Sequence, residues 1–188
     1  MKKGNKMKKL ILVFFIIFGF LYADCKLVGT VQGLRYSNVL KQWFSQDVDI
    51  WACYYPNDEY KNIFVINIPN ITKSRAFLTS SNLDDLINSL KKAIKWANKA
   101  KTKKVPTFSK ELFNYDLYGK LTVEFFTANK GQQDDVILRT VDVDNEFEKG
   151  EAYLNCFTKV PKLIKLLKKV KPTWNELEKA NKIKNEFN

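Results

Sequence analysis

Residues 76–97 read AFLTSSNLDDLINSLKKAIKWA, a short strand pattern followed at once by an amphipathic helix pattern. Ser81 and Asn82 are typical helix N-caps, and Asp84 and Asp85 lie where the positive end of a helix dipole favours carboxylates. Apolar residues then recur on one face: Leu83, Leu86, Ile87, Leu90, Ile94 and Ala97. Because such a stripe must be buried against another element, the stretch predicts a helix lying on a sheet.

A second stretch repeats this order. Residues 152–170 read AYLNCFTKVPKLIKLLKKV, in which residues 152–154 match residues 76–78 in pattern. The following helix pattern again has one apolar face, formed by Val160, Leu163, Ile164, Leu167 and Val170. The correspondence predicts two strand–strand–strand–helix halves related by a pseudo-two-fold axis. The alternative is that two amphipathic helices of similar composition resemble each other by chance.

Strand patterns with β-branched and aromatic enrichment complete the prediction. They cover residues 26–32, 47–55, 62–68, 75–80, 120–128, 135–143 and 151–157. Residues 37–44 fit one or two helical turns, and the capping box of Thr173 and Glu176 after Pro172 predicts a last helix over residues 174–186. We therefore predict an α+β fold with an antiparallel sheet of six to seven strands, two amphipathic helices on one face and a separate C-terminal helix.

The N-terminus carries an export pattern. Five lysines precede an apolar run, Leu10 to Tyr22, which is followed by Ala23. This run is shorter than the roughly 20 apolar residues that span a bilayer, so it predicts a cleaved signal peptide, residues 1–23, and a single domain, residues 24–188. We expect the protein to be exported, either periplasmic or secreted. A retained signal anchor and a lipoprotein cut before Cys25 are the competing interpretations.

Three cysteines remain in the mature chain: Cys25, Cys53 and Cys156. In an oxidising compartment this number predicts one disulfide and one remaining thiol. Three pairings are open, and the position of Cys25 and Cys53 on consecutive predicted strands favours that pair.

The charge is concentrated in lysine-rich helical segments. The chain has 32 basic and 20 acidic residues, and its formal net charge is +12. Residues 91–104 hold seven lysines and residues 159–171 hold six, with no acid in either segment. If both helices pack on one side of the sheet, their outward lysines form one positive surface. The candidate anionic-ligand surface consists of Lys91, Lys92, Lys95, Lys99, Lys165, Lys168 and Lys169.

Such a surface would attract anionic lipid, lipopolysaccharide or an acidic polymer. Trp96 lies beside these lysines and suits an interface, although an ordinary solvated helix face explains the same pattern. Only three arginines are present, and because arginine dominates base and phosphate recognition, nucleic acid is not an expected partner.

The residue types exclude several kinds of chemistry. The chain contains no histidine, which excludes Ser-His-Asp and Cys-His catalysis and histidine-ligated zinc. Neither C-x-x-C nor a glycine-rich nucleotide loop is present, so no catalytic residue, cofactor or metal is predicted. Paired carboxylates would still permit glycoside hydrolysis, and Glu111, Asp116 and Glu124 are the candidates.

Three classes of function remain after these exclusions. The leading expectation is a small non-enzymatic binding protein that contacts anionic membranes or polymers through its lysine-rich helices. The first alternative is a carboxylate-dependent hydrolase that acts on cell-wall glycans. The second is a protein–protein interaction or inhibitor module.

Overall fold

The computed structural model describes residues 24–56, 58–69, 73–116, 119–142 and 149–186. The predicted signal peptide, residues 1–23, lies outside the described residues. The strands are β1 (Asp24–Ser37), β2 (Gln42–Tyr54), β3 (Asn62–Pro69), β4 (Lys73–Thr79), β5 (Thr107–Asp116), β6 (Lys120–Ala128), β7 (Gln133–Val141) and β8 (Lys149–Asn155). The helices are α1 (Asn82–Lys103), between β4 and β5, and α2 (Val160–Glu186), after β8.

The eight strands form one antiparallel sheet in the order β4-β3-β2-β1-β8-β7-β6-β5. The predicted α+β class and antiparallel sheet are therefore confirmed. The two four-stranded halves meet at a single backbone bridge between Leu34 of β1 and Tyr153 of β8. Gly33 permits this close approach, because a Cβ at that position would lie 2.8 Å from the Tyr153 carbonyl oxygen.

The two halves are tandem ββββα units. In β4 and β8 the alanine and leucine of the repeated tripeptides, residues 76–78 and 152–154, are buried in the core. The strand order places β1 beside β8. Contacts between the units are reciprocal, since β4 meets β7 and β3 meets β8, and the pseudo-two-fold relation stays a prediction.

Each helix packs largely on the sheet of the other unit. Helix α1 contacts β5, β6 and β7 besides β4, whereas α2 contacts β1 and β2. The helices touch each other and share one hydrophobic core with both halves of the sheet. The prediction that both helices lie on one face is therefore confirmed, and we call this the helix face.

The sheet curves until strands far apart in its order meet. Ser74 of β4 donates a buried hydrogen bond to the carbonyl oxygen of Thr140 of β7 at 2.9 Å, although four strands lie between them. Both side chains are fully buried. The two halves of the sheet therefore contact each other at β4 and β7. The helices pack against both halves in one hydrophobic core.

The number of strands is eight rather than six to seven, because β5 was not predicted. This strand is the last in the sheet, and most of its side chains are exposed or half-buried. An edge strand with little buried area lacks the apolar alternation that marks a strand in sequence. The predicted helical turns over residues 37–44 are also wrong, since β1 and β2 form a long hairpin with its turn at residues 38–41.

The separate C-terminal helix is the third correction. Helix α2 runs without a break from Val160 to Glu186 and contains Pro172. Val170 before the proline and Trp174 after it are both buried, so packing on each side holds the helix through a residue that normally ends one. The Thr173 hydroxyl adds a hydrogen bond to the Lys169 carbonyl oxygen at 2.9 Å.

Candidate functional site

All seven lysines of the predicted anionic-ligand surface are exposed on the helix face. Four lie on α1 and three on α2, and the two helices are in contact. Their exposure follows from the helical repeat, because buried residues such as Leu90, Ala93 and Leu167 turn the intervening lysines outward. The structure therefore places the predicted residues on two adjoining helix surfaces.

Salt bridges on the two helices involve other side chains. Ion pairs of the helix face occur elsewhere on the two helices, for example between Lys171 and Asp84 at 2.9 Å and between Lys26 and Glu176 at 2.9 Å. Within the described ranges, no ion pair engages any of the seven lysines. Their positive charge is therefore available to an anionic ligand.

An aromatic groove borders the lysines of α1. It has a volume of about 330 Å³, and its apolar walls include Trp96, Phe108 and Phe125. The Lys92 ammonium lies 4.9 Å from the centroid of the Trp96 ring, and Lys99 and Lys103 line the same groove. We call this site the tryptophan groove. It combines apolar surface with positive charge, which is what an anionic amphiphile requires.

The tryptophan groove was only partly visible in the sequence. Trp96 could be placed beside the lysines, but Phe108 belongs to β5, the strand that was not predicted. Phe108 remains 41 % exposed, and its ring centroid lies 5.9 Å from that of Trp96. An aromatic residue at the start of an otherwise polar segment was the one available signal.

The cysteines are arranged as the sequence predicted. Cys25 and Cys53 face each other on β1 and β2 and form a disulfide, so the favoured pairing is confirmed. Cys156 is a free, buried thiol. Burial, followed by the charges of Asp134 and Asp135, raises the pKa of Cys156, so this residue is unsuited to nucleophilic chemistry.

The candidate catalytic carboxylates lie on two neighbouring strands, β5 and β6. Glu111 and Glu124 are opposite each other on β5 and β6, whereas Asp116 lies at the far end of β5, opposite Lys120. Arg139 binds Glu124 and, at 2.7 Å, Glu151. Burial raises the pKa of Glu124, but hydrogen bonds from Arg139 and Ser109 and the charge of Arg139 outweigh it, so the pKa is lowered. A general acid needs the opposite shift.

This ion pair makes stability depend on acidity. The folded-state pKa of Glu124 lies below its ordinary value of 4.5, so its stabilisation is fully present above pH 4.5 and is lost as the pH falls through the lower folded value. We expect Glu124→Gln to lower the free energy of unfolding at pH 7 by about 1 kcal/mol, because the pair is partly exposed. Urea denaturation between pH 7 and pH 3 should show the difference disappearing with acid.

The control for this experiment is the Arg139→Gln background. There, Glu124→Gln should have a smaller effect on stability at pH 7, because Arg139 is gone and burial is opposed only by the hydrogen bond from Ser109. An equal effect in both backgrounds would contradict the assigned pair.

The described part of the chain has no group of three histidine, cysteine, aspartate or glutamate residues placed to hold a metal ion. Its two helices also lack a segment long and apolar enough to cross a membrane. No protein-family model, curated protein or solved structure matches the chain significantly. A functional assignment therefore rests on the geometry of its surfaces.

Proposed function

We propose that this chain is an exported, non-enzymatic binding protein that contacts anionic membrane surfaces through the lysines of its helix face. The observation that carries the proposal is the tryptophan groove, where Trp96 and Phe108 lie among Lys92, Lys99 and Lys103. An ordinary solvent-exposed helix face carries charged side chains only. This surface also has an apolar site beside its lysines. Lipopolysaccharide and acidic polymers share the anionic chemistry and are the other candidate ligands.

The energetics favour a membrane surface. Basic residues near an anionic bilayer contribute about 1 kcal/mol each, and this attraction weakens as salt increases. Partly exposed tryptophan suits the region between lipid head groups and acyl chains, because its ring is apolar and its N–H is polar. Charge on two adjoining helices would hold the protein at the surface, and the tryptophan groove would add apolar contact.

Export is part of the proposal. The Cys25–Cys53 disulfide is typical of proteins in oxidising compartments. It agrees with a signal peptide over residues 1–23 and with a periplasmic or secreted location. Recovery of an intact mass that corresponds to residues 24–188 would test the cleavage.

The two alternative functions gain less support. A carboxylate-dependent hydrolase needs an acid with a raised pKa opposite a second carboxylate, whereas Glu124 is paired with Arg139. An interaction module could use the outer edge of β5, but a β-bulge between Glu111 and Phe113 interrupts that edge. Bulges of this kind protect sheet edges from pairing with another chain.

Charge reversal provides the main test. The variants are Lys91→Glu with Lys92→Glu on α1, and Lys168→Glu with Lys169→Glu on α2. Since each lysine contributes about 1 kcal/mol, each pair of changes should weaken binding to phosphatidylglycerol vesicles roughly 30-fold or more. Vesicle sedimentation at low and high salt measures the effect, and wild-type binding should fall as salt rises.

A matched control uses two exposed lysines in turns between strands, Lys41→Glu and Lys61→Glu. This pair alters net charge equally and should weaken binding much less than either helix pair. Equal losses for the control and helix pairs would refute a defined binding surface. Absence of wild-type binding to these vesicles would refute the membrane proposal itself.

The variant Trp96→Ala distinguishes a membrane from a soluble polymer. It should weaken binding to vesicles, where the tryptophan groove contacts lipid, and leave binding to poly-glutamate unchanged. Equal weakening for both ligands would argue against contact between the groove and lipid.

A further inference from the structure

A second cavity lies on the opposite face of the sheet, where the two repeat units meet. It has a volume of about 570 Å³ and is open to solvent, within the range of small-molecule sites. Strands β1 and β2 supply one wall, and β7, β8 and the residue before α2 supply the other. We call it the inter-repeat groove. It is separate from the helix face and from the tryptophan groove.

One wall of the inter-repeat groove is aromatic and held in place. Trp43 is 47 % exposed, yet its ring meets Tyr153 edge to face at a centroid distance of 5.0 Å. Tyr36 contacts the same indole ring at 5.2 Å. The indole therefore presents an exposed surface in an orientation that two tyrosines support, which is the arrangement needed to stack against a flat ligand.

Most of the exposed surface of the groove is apolar, and Gly33 and Leu34 also line it. Six further lining residues have side chains that can donate or accept hydrogen bonds: Gln32, Ser45, Gln133, Asp135, Asn155 and Lys159. Gln133 donates to Asp135 at 3.4 Å. Burial raises the pKa of Asp135, the hydrogen bond from Gln133 lowers it in part, and the charge of Asp134 raises it again, so the net pKa lies above its ordinary value. A partly buried carboxylate beside an open cavity is a strong acceptor for ligand hydroxyl groups.

The charged residues of the lining balance each other, which favours an uncharged ligand. Among the described residues that line the cavity, Asp135 is the one acid and Lys159 the one base. A ligand that matches an exposed indole and several amide, hydroxyl and carboxylate groups carries many hydroxyls and one apolar face. A pyranose ring has this character, since its C–H bonds form a flat apolar face and its hydroxyls project around the edge.

We propose that the inter-repeat groove binds a neutral saccharide of one or two rings. Trp43 stacks on the apolar face of a sugar ring, and Gln133 and Asp135 bind its hydroxyls. The site requires both units of the chain, because Trp43 comes from the first and Gln133, Asp135 and Tyr153 come from the second. The groove binds rather than cleaves, because its lining in the described ranges contains one carboxylate, whereas glycoside hydrolysis uses two.

The indole N–H signals of the protein provide a direct test. The chain has four tryptophans. Replacing one tryptophan at a time with phenylalanine assigns each indole signal in the ¹H–¹⁵N spectrum. Titration with maltose, cellobiose and N,N′-diacetylchitobiose should shift the Trp43 signal with at least one of them and reach saturation. The Trp174 indole, which is buried and donates to the Ile63 carbonyl oxygen at 3.0 Å, should not move.

Two variants locate the binding site. Trp43→Ala should weaken saccharide affinity about tenfold or more, as loss of aromatic stacking does elsewhere, and Gln133→Ala should weaken it without removing the indole reporter. Trp51→Ala is the matched control, because Trp51 lies on the same strand as Trp43 but outside the inter-repeat groove. It should leave affinity unchanged.

Because these saccharides are uncharged, their binding can be tested independently of the proposed membrane binding. Saccharide affinity should not depend on salt, and the lysine reversals on α1 and α2 should leave it intact. The proposal is overturned if none of the three disaccharides shifts the Trp43 signal at tens of millimolar. It is equally overturned if Trp43→Ala and Trp51→Ala have the same effect.

Discussion

Replacement of Trp174 by alanine should lower the free energy of unfolding by about 3–5 kcal/mol, the range measured for large aromatic side chains removed from cores. Trp174 is only 4 % exposed, and its ring contacts Phe64 at a centroid distance of 6.4 Å. Its loss would leave a cavity between α2 and the sheet. It would also remove the hydrogen-bond donor to the Ile63 carbonyl oxygen, and an unpaired buried acceptor adds to the cost.

Urea denaturation monitored by circular dichroism measures this effect. The variant Trp174→Phe keeps most of the apolar volume but loses the hydrogen bond, so its loss should be smaller than that of Trp174→Ala. Ile183→Ala is the control on the same helix, because Ile183 is 56 % exposed; we expect it to change stability by less than about 0.5 kcal/mol. If Trp174→Ala were as mild as Ile183→Ala, α2 would not be docked beyond Pro172.

Removal of the disulfide should have the second large effect. The bridge joins residues separated by 28 positions, and closure of such a loop destabilises the unfolded chain by about 3.6 kcal/mol in the chain-entropy treatment. We therefore expect the double variant Cys25→Ala with Cys53→Ala to lose about that much stability. Denaturation with and without a thiol reductant measures the same quantity in the wild-type protein.

The double variant also serves as the control. Reductant should lower wild-type stability to near that of the variant and leave the variant unchanged, because both proteins retain the buried Cys156. A wild-type protein insensitive to reductant would show that Cys25 and Cys53 are unpaired, and the argument for an oxidising compartment would lose its structural support.

Local pattern predicted much of the fold because most elements bury one regular face. The apolar stripes beginning at Leu83 and Val160 identified both helices, and β-branched and aromatic enrichment identified seven of the eight strands. These signals exist because burial follows the periods of helix and strand. β5 was not predicted, because it lies at the edge of the sheet and has no buried face.

Tertiary packing decided the remaining features. Pro172 predicted a helix end, but burial of Val170 and Trp174 against the sheet outweighs the local cost of the proline. Strand order could not be read from the repeat, because the same residues form the same elements whichever strands of the two units pair. The pairing of β1 with β8 is visible only in the tertiary structure.

The two candidate surfaces also differ in how far they could be predicted from the sequence. Lysines on a helix can be located from spacing alone, so the exposure of the seven lysines could be predicted from the sequence. The walls of the inter-repeat groove could not be, because Trp43 and Tyr153 are 110 positions apart. Their contact depends on the curvature of the sheet and on the bridge between Leu34 and Tyr153.

Each helix packs on strands of the other unit, and this packing determines whether the chain can be cut into two stable fragments. A first unit cut free after α1 would lack α2, which covers β1 and β2, and its own α1 would lose β5, β6 and β7 as a packing surface. The second unit would face the reciprocal defect. Neither half is thus an autonomous folding unit, and two separated fragments could complete a core only by complementation. The connection at residues 104–106 converts that bimolecular assembly into an intramolecular one.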